Sequence, residues 1–253
     1  MKILAITQAR IGSSRLPGKI LKEINGHTLL EIHLTRILRS QLITMLKVAT
    51  TSEPDANKIV EIAHKLNVGV YRGSLNNVLE RFFRTAEPEN PDWVVRLTSD
   101  CPLIDPDLID KVILFAIEND LDYASNSLHP TFPNGVDVEV FRYSALSRAF
   151  KEARLNSELE HVTPYIWKNS SFNGGLLFKS DCLMYSDDFS QYRITVDTLE
   201  DFEVIKQLIE KLGINKPWIE YIHLLKENVD IKKLNEKFSR NEGYEKSVKN
   251  DKY

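Results

Sequence analysis

Cysteine is nearly absent. The 253 residues hold two, Cys101 and Cys182, far apart and without a Cys-x-x-Cys partner. That excludes a disulfide framework and a zinc knuckle, and a reducing cytoplasm is the expected compartment. Long hydrophobic runs are missing too. The opening MKILAITQAR carries one Lys and a short apolar run cut by Gln8 and Arg10. This is too brief for a signal-peptide core or a membrane span, so a cytoplasmic protein with no membrane partner is expected. Neither sign of charge dominates: 33 Lys and Arg face 36 Asp and Glu, for a net charge of −3. A general nucleic-acid binder rests on a basic surface, so no nucleic-acid partner is expected. None of the six histidines has zinc-site spacing, and no HExxH or GxSxG sequence occurs.

What is present is ordinary globular material, 42% hydrophobic and 27% charged, in a chain long enough to bury a core without staples. Lys2 to Thr7 is a short, apolar, β-branched run suited to a buried strand, and a polar loop, Gln8 to Lys19, follows it. Helical spacing over Thr28 to Arg39 and a strand at Lys47 to Thr51 complete a β-loop-α-β opening. Helices are expected at Asp55 to Leu66 and Asn76 to Thr85, with extended chain at Gly69 to Tyr71 and a strand at Trp93 to Leu97 that stops at Thr98-Ser99-Asp100. Asp105 and Pro106 are an N-cap and first-turn proline for a helix over Pro106 to Ile117. Strands alternating with helices predict an α/β fold with a mostly parallel central sheet flanked by helices.

The middle of the chain changes character. Pro130, Pro133, Asn134 and Gly135 mark a turn, and Val136 to Phe141 alternates strictly, which predicts a β excursion around 130–142, at an edge or in a hairpin. Further on, Ser144 to Ala153 reads as helix, Arg193 to Val196 as a short strand ending at Asp197, and Leu199 to Leu212 as an amphipathic helix. From about Lys226 the chain is rich in Lys and Glu with few apolar anchors after Phe238. Residues 1–225 are read as one domain and 226–253 as a C-terminal extension.

The loop QARIGSSRLPGK carries the densest chemistry. Gly12 and Gly18 let the backbone approach a ligand closely, and Arg10, Arg15 and Lys19 supply cationic donors. It lies on the carboxyl side of the first strand, where open α/β sheets bind ligands, so a polyphosphate is a fitting occupant. A Walker loop is excluded because five residues separate Gly12 from Gly18 and Ile20 follows Lys19; a dinucleotide fingerprint is excluded because Ser14 stands where its second glycine belongs. Taken alone, the loop could equally be a solvated connection.

The order QARIGSSRLPGK, YRGSLNNVLERF, RLTSDCPLID, PNGVDVEVF, EHVTPYIW and RITVDTLEDFEVI resembles the spore-coat-polysaccharide branch of the cytidylyltransferases, nucleotidyltransferases related to the CMP-Kdo and acylneuraminate cytidylyltransferases. The resemblance spans residues 1 to 212, and the ending RNEGYEKS is similar to family tails. It implies a Rossmann-like nucleotidyltransferase fold and transfer of CMP from CTP to a small acidic acceptor, with pyrophosphate released, in surface polysaccharide or glycoconjugate synthesis. It implies that Arg10, Gly12, Ser13, Arg15 and Lys19 hold the triphosphate and that Gln8, Ala9, Arg72, Gly73 and Ser74 read the pyrimidine. Asp100 and Asp197 would hold Mg²⁺, an ion suited to carboxylate, phosphate and water oxygens. Arg10, Arg15, Lys19 and Asp100 form the implied catalytic set, and Asn134, Gly135, Asp137, Glu139 and His161 the acceptor wall. Related enzymes imply a homodimer.

Plainer roles stand beside these. Arg72 could be a surface cation, Asp100 and Asp197 helix caps, His161 a satisfied core histidine, and the acidic face of 136–141 a solvated strand edge. Two rival classes are also open. A glycosyltransferase consuming a nucleotide sugar commonly carries Asp-x-Asp after a strand, whereas Cys101-Pro102 follows Asp100 here; a non-catalytic nucleotide-binding module would lack the carboxylates that Asp100 and Asp197 retain.

Overall fold

The computed structural model describes residues 1–13 and 15–251. Nine strands are defined there: β1 (Ile3–Gln8), β2 (Glu23–Ile24), β3 (His27–Thr28), β4 (Met45–Thr51), β5 (Gly69–Gly73), β6 (Trp93–Thr98), β7 (Tyr123–Ser125), β8 (Glu139–Arg142) and β9 (Ser180–Cys182). β2 and β3 form a small hairpin, and the other seven make one sheet in the order β5-β4-β1-β6-β8-β7-β9. β1 is parallel to β4 and β6, with Ala5 beside both Leu46 and Val95. β8 runs antiparallel to β6 and β7, the one reversal in an otherwise parallel sheet. The fold is therefore α/β with a mostly parallel seven-stranded sheet, as the alternation of elements predicted.

The helices are α1 (Leu29–Ile37), α2 (Asn57–Lys65), α3 (Val78–Ala86), α4 (Pro106–Glu118), α5 (Tyr143–Glu152), α6 (Asn156–His161), α7 (Pro164–Lys168), α8 (Leu199–Leu212), α9 (Trp218–Glu227), α10 (Val229–Lys233) and α11 (Glu242–Lys249). Local chemistry sets their starts. The Asp105 carboxylate accepts from the amides of Asp107 and Leu108, and Thr28 with Glu31 and Thr198 with Asp201 form reciprocal caps. The sheet divides the core. Ala5, Val48 and Val95 pack with α1, α2, α4, α8 and α9 on one face, while Leu4, Ile6, Ala49 and Val94 pack with α3, α5 and α7 on the other. Each fully buried Leu, Ile or Phe contributes about 1.5–3 kcal/mol. Among the described residues no helix is long and apolar enough to cross a membrane.

Of the two readings of Val136 to Phe141, edge or hairpin, the second holds: Glu139–Arg142 pairs antiparallel with the preceding strand β7 and lies inside the sheet between β6 and β7, with Val136, Val138, Val140 and Phe141 all buried. One expectation is corrected. Arg193 to Val196 is extended chain and not a strand, with a single bridge from Arg193 to Asn134. The boundary expected after residue 225 falls within α9, and Ile231 of α10 still belongs to the core.

Candidate active site

β1, β4, β5 and β6 end on the same side of the sheet, and the reversal of β8 brings its amino end there as well. Asp100 leaves β6 in a turn closed by the Cys101 amide on the Thr98 carbonyl. Its own carbonyl accepts from the Val196 amide at 2.8 Å and the Thr195 hydroxyl at 3.0 Å. The backbone of 193–197 is thereby fastened to the end of β6, which carries Asp197 to Asp100 across almost a hundred residues of chain. Asn134 fastens the other edge, accepting from the Ile194 amide at 2.7 Å and donating to the Tyr192 carbonyl at 2.9 Å. Gly135 makes that approach feasible. Its φ is +115°, and a Cβ there would lie 2.5 Å from the Ile194 carbonyl carbon.

Lys19 closes the arrangement. Gly18, at φ +66°, turns the chain so that the Lys19 ammonium meets Asp197 Oδ1 at 2.8 Å, the Val196 carbonyl at 2.8 Å and Asp100 Oδ2 at 3.3 Å. Burial alone would lower the Lys19 pKa, but the two carboxylates outweigh it and raise it. Burial likewise works to raise Asp100, yet Lys19 and hydrogen bonds from Thr98 and Cys101 bring it down to about 2. Asp197 is aimed from behind by Arg193 at 3.0 Å, and Arg193 is itself gripped by buried Asp201 at 2.8 and 2.9 Å. Arg15 joins from the same loop, 3.0 Å from Asp197 and 2.5 Å from Glu242.

The remaining predicted residues fall into two groups. Gln8 stands at the end of β1 with its Oε1 buried and unpartnered, as are the Thr50 and Thr51 hydroxyls at the end of β4. Unsatisfied buried polar atoms are rare in a native fold and mark a place where a ligand would supply the missing bonds. Ala9 is buried, Arg10 exposed, a Cβ on Gly12 would meet open space, and Ser13 accepts from the Leu16 amide. Beyond β4 and β5 a cleft of about 520 Å³ is lined by Ser52, Glu53, Tyr71, Gly73, Ser74, Leu75 and Glu80. Arg72 is not part of its lining. Its guanidinium is spread over the Thr51, Ser52 and Glu53 carbonyls and the Asn57 side chain, so it holds the β4–α2 loop. Arg81, unforeseen from the sequence, does the same for the next loop through the Ser74 and Leu75 carbonyls.

On the other flank Glu139 is saturated by Arg96, the Tyr123 hydroxyl and the Thr163 hydroxyl, which fits a positioning hub better than direct contact with a ligand. Asp137 pairs with Arg240, and burial still raises its pKa despite that guanidinium. His161 has a buried, unpartnered Nε2; burial, helped by Arg96 and Arg10, lowers its pKa to about 4, so the ring is neutral near pH 7. Val162 follows at φ +72° and ψ −56°, closed by the Thr163 amide on the His161 carbonyl at 2.8 Å. That is a strained γ-turn in a β-branched residue, and it directs His161 and Thr163 from one short segment. The sequence did hold a signal for Arg96: a charge inside the apolar strand WVVRLT must have a partner. Arg240, Glu242 and Tyr244 carried none, because their partners lie far away in the chain, whereas the partners of Arg193, Asp197 and Asp201, stand only four and eight residues on.

Among the described residues no cluster of three or more His, Cys, Asp or Glu could hold a metal. Asp100 and Asp197 nonetheless offer the hard oxygens a divalent cation takes when phosphate and water complete its shell. With Lys19 between them as the present counter-charge, the donor chemistry fits.

Comparison with known proteins agrees with this architecture. The cytidylyltransferase family model matches residues 4–242. The spore coat polysaccharide biosynthesis protein SpsF of Bacillus subtilis is 36% identical over 241 residues, covering 90% of this chain and 95% of that protein. An uncharacterized protein of Methanocaldococcus jannaschii is 37% identical over 238 residues, covering 93% and 95%. The structure of a cytidylyltransferase from Leptospira borgpetersenii superposes with a TM-score of 0.87 at 35% identity, covering 95% of this chain and all of that one. CMP:2-keto-3-deoxy-manno-octonic acid synthetase complexed with CTP shares the fold, with a TM-score of 0.63 at 16% identity over 83% of this chain and 99% of that one.

Proposed function

The chain belongs to the cytidylyltransferase family, and from that premise we propose that it transfers CMP from CTP to a small acidic acceptor in the synthesis of a surface polysaccharide or glycoconjugate. The observation that carries this reading is the Lys19 ammonium held between Asp100 and Asp197, with Arg15 on the same Asp197. It is a cluster of matched charges at the carboxyl ends of parallel strands, where a triphosphate and its cation can exchange with the internal partners. The CTP-bound synthetase of the same fold and the polysaccharide role of SpsF support the choice of nucleotide and pathway class.

In the proposed reaction an acceptor oxygen attacks the α-phosphorus of CTP in line, forming one P–O bond as the bond to the bridging β-phosphate oxygen breaks, and pyrophosphate leaves with that electron pair. Alignment and charge neutralisation can supply most of the barrier reduction. Lys19 and Arg15 would turn from their carboxylates to the phosphate oxygens, where charge grows as pyrophosphate departs. When bound, a divalent cation such as Mg²⁺ between Asp100 and Asp197 would supply further charge neutralisation on the triphosphate. Gln8 Oε1 and the threonine hydroxyls ending β4 would satisfy the base. His161 Nε2, neutral and unpartnered, would hold a hydrogen bond to the acceptor. An ionised acceptor oxygen needs no base.

The test is pyrophosphate release from each of the four nucleoside triphosphates, with Mg²⁺ and a panel of acidic acceptors. Release with CTP and an acidic acceptor, lost in Lys19→Ala or Asp100→Asn, supports the reading. Consumption of a nucleotide sugar in place of CTP, or near-normal release by either variant, defeats it.

A further inference from the structure

Residues 240–251 run back across the mouth of the site. Arg240 reaches Asp137 and, at 3.1 Å, the Phe132 carbonyl; the Tyr244 ring stands edge-on 5.3 Å from His161; and Asp251 accepts from Ser157 at 2.7 and 2.8 Å. Among the described residues Glu242 alone in this segment pairs with the first loop, through Arg15. The two carboxylates on Arg15 differ in how firmly they are held. Asp197 is braced by Arg193 and shares Lys19, whereas Glu242 is 35% exposed and its other oxygen receives only Ser239. A phosphate placed on Arg15 would meet Glu242 as a like charge and would take over the same N–H donors.

We propose that Glu242 occupies on Arg15 the place of a phosphate oxygen, that a bound polyphosphate exchanges with it, and that the exchange loosens the segment whose Tyr244 covers His161. The polyphosphate is CTP if the cytidylyltransferase reading above holds, on which this inference rests. Two consequences follow from the geometry. The Glu242 carboxylate opposes nucleotide binding, and the acceptor flank opens after the nucleotide has arrived, so CTP binds before the acceptor.

Isothermal titration of the full chain with CTP plus Mg²⁺, and separately with inorganic pyrophosphate plus Mg²⁺, tests this together with hydrogen exchange over 240–251. Glu242→Gln keeps size and removes charge; it should tighten both probes by roughly two- to fivefold, the range an exposed ion pair converts to. The difference should shrink at high salt, and Glu242→Asp should restore wild-type affinity. In the wild type either probe should raise exchange over 240–251. Unchanged or weaker binding in Glu242→Gln, or exchange over 240–251 that neither probe raises, overturns the inference. If pyrophosphate binds and CTP does not, the cytidylyltransferase reading fails while the exchange is still decided by pyrophosphate. Binding of neither probe overturns both.

Discussion

Replacing Lys19 with methionine keeps the length of the side chain and removes the cation that joins Asp100 to Asp197. The Asp100 pKa lies at about 2 against an ordinary 3.8, and at 1.36 kcal/mol per unit this difference is about 2 kcal/mol of folding free energy at neutral pH. Fully buried pairs cost about 3–5 kcal/mol to break; here the carboxyl side chains keep 29% and 22% exposure, so a loss of about 2–3 kcal/mol is expected. Because the folded pKa lies below the unfolded one, the contribution is complete above pH 3.8 and disappears as pH falls toward 2. Urea denaturation at a series of pH values should therefore show the gap between wild type and Lys19→Met closing over that window. Mg²⁺ should raise the midpoint of the variant more than that of the wild type, since two carboxylates are left without a counter-charge. Turnover, followed as pyrophosphate release, should drop by roughly 10²–10³-fold with a smaller change in the KM for CTP. A Lys19→Met midpoint within about 0.5 kcal/mol of wild type at pH 7, the size of an inert surface change, would refute the electrostatic account.

Other perturbations separate positioning from chemistry. Gly135→Ala sets a Cβ against the Ile194 backbone and should cost at least about 3 kcal/mol, read as a fall in thermal midpoint; a normal midpoint would show that 193–197 does not pass where described. Arg96→Met leaves the Glu139 carboxylate buried without its cation and should cost about 3–5 kcal/mol, partly recovered in Arg96→Met with Glu139→Gln, as a double-mutant cycle in urea would measure. Buried His33 donates from Nδ1 to the Cys101 carbonyl and accepts at Nε2 from Thr7, and burial lowers its pKa from 6.5 to about 4. The unfolded chain takes up that proton first, so wild-type stability should fall by about 3 kcal/mol between pH 6.5 and 4 on account of this group. A His33→Gln variant, less stable at pH 7, should have a flatter pH profile over that interval; an equally steep one would exclude His33 as the cause.

The strands and helices of the first half were legible because periodicity and end signals agree there. ILAITQ is apolar on both faces, as a strand flanked by parallel neighbours must be, and Asp105-Pro106 started its helix where cap chemistry placed it. The misreadings have a common physical origin. The alternation of Val136 to Phe141 left an edge and a hairpin both open, because nothing local reveals that Glu139 has Arg96, Tyr123 and Thr163 waiting around it. Arg193 to Val196 has strand-like residues, but the Ile194 and Val196 amides donate to the Asn134 and Asp100 carbonyls while the Arg193 and Val196 carbonyls accept from the Asn235 and Lys19 side chains, so they form no ladder. Tyr123–Ser125 and Ser180–Cys182 are too short for any period to show.

The site divides along the same line. Lys19, Arg15, Asp100 and Asp197, which the structure brings together, were local patterns in the sequence, a basic glycine loop and two acids each ending an apolar run, and the resemblance gave them their implied roles. Arg72 carried the same signal as those cations and yet serves the backbone, since a guanidinium can hold a loop's carbonyls as readily as a phosphate. The C-terminal segment shows the limit most sharply. Sparse apolar anchors after Phe238 suggested an appended tail, but this stretch is fixed by polar anchors: Arg240 on Asp137, Glu242 on Arg15, Ser247 on Glu160 and Asp251 on Ser157. Hydrophobic pattern is a code read within one segment, whereas an ion pair between residues 15 and 242 is a property of two. The residues that adjust Arg15 and Asp137 are therefore the ones a sequence conceals, and partly exposed ion pairs, individually weak, are the kind of contact a charged ligand can exchange.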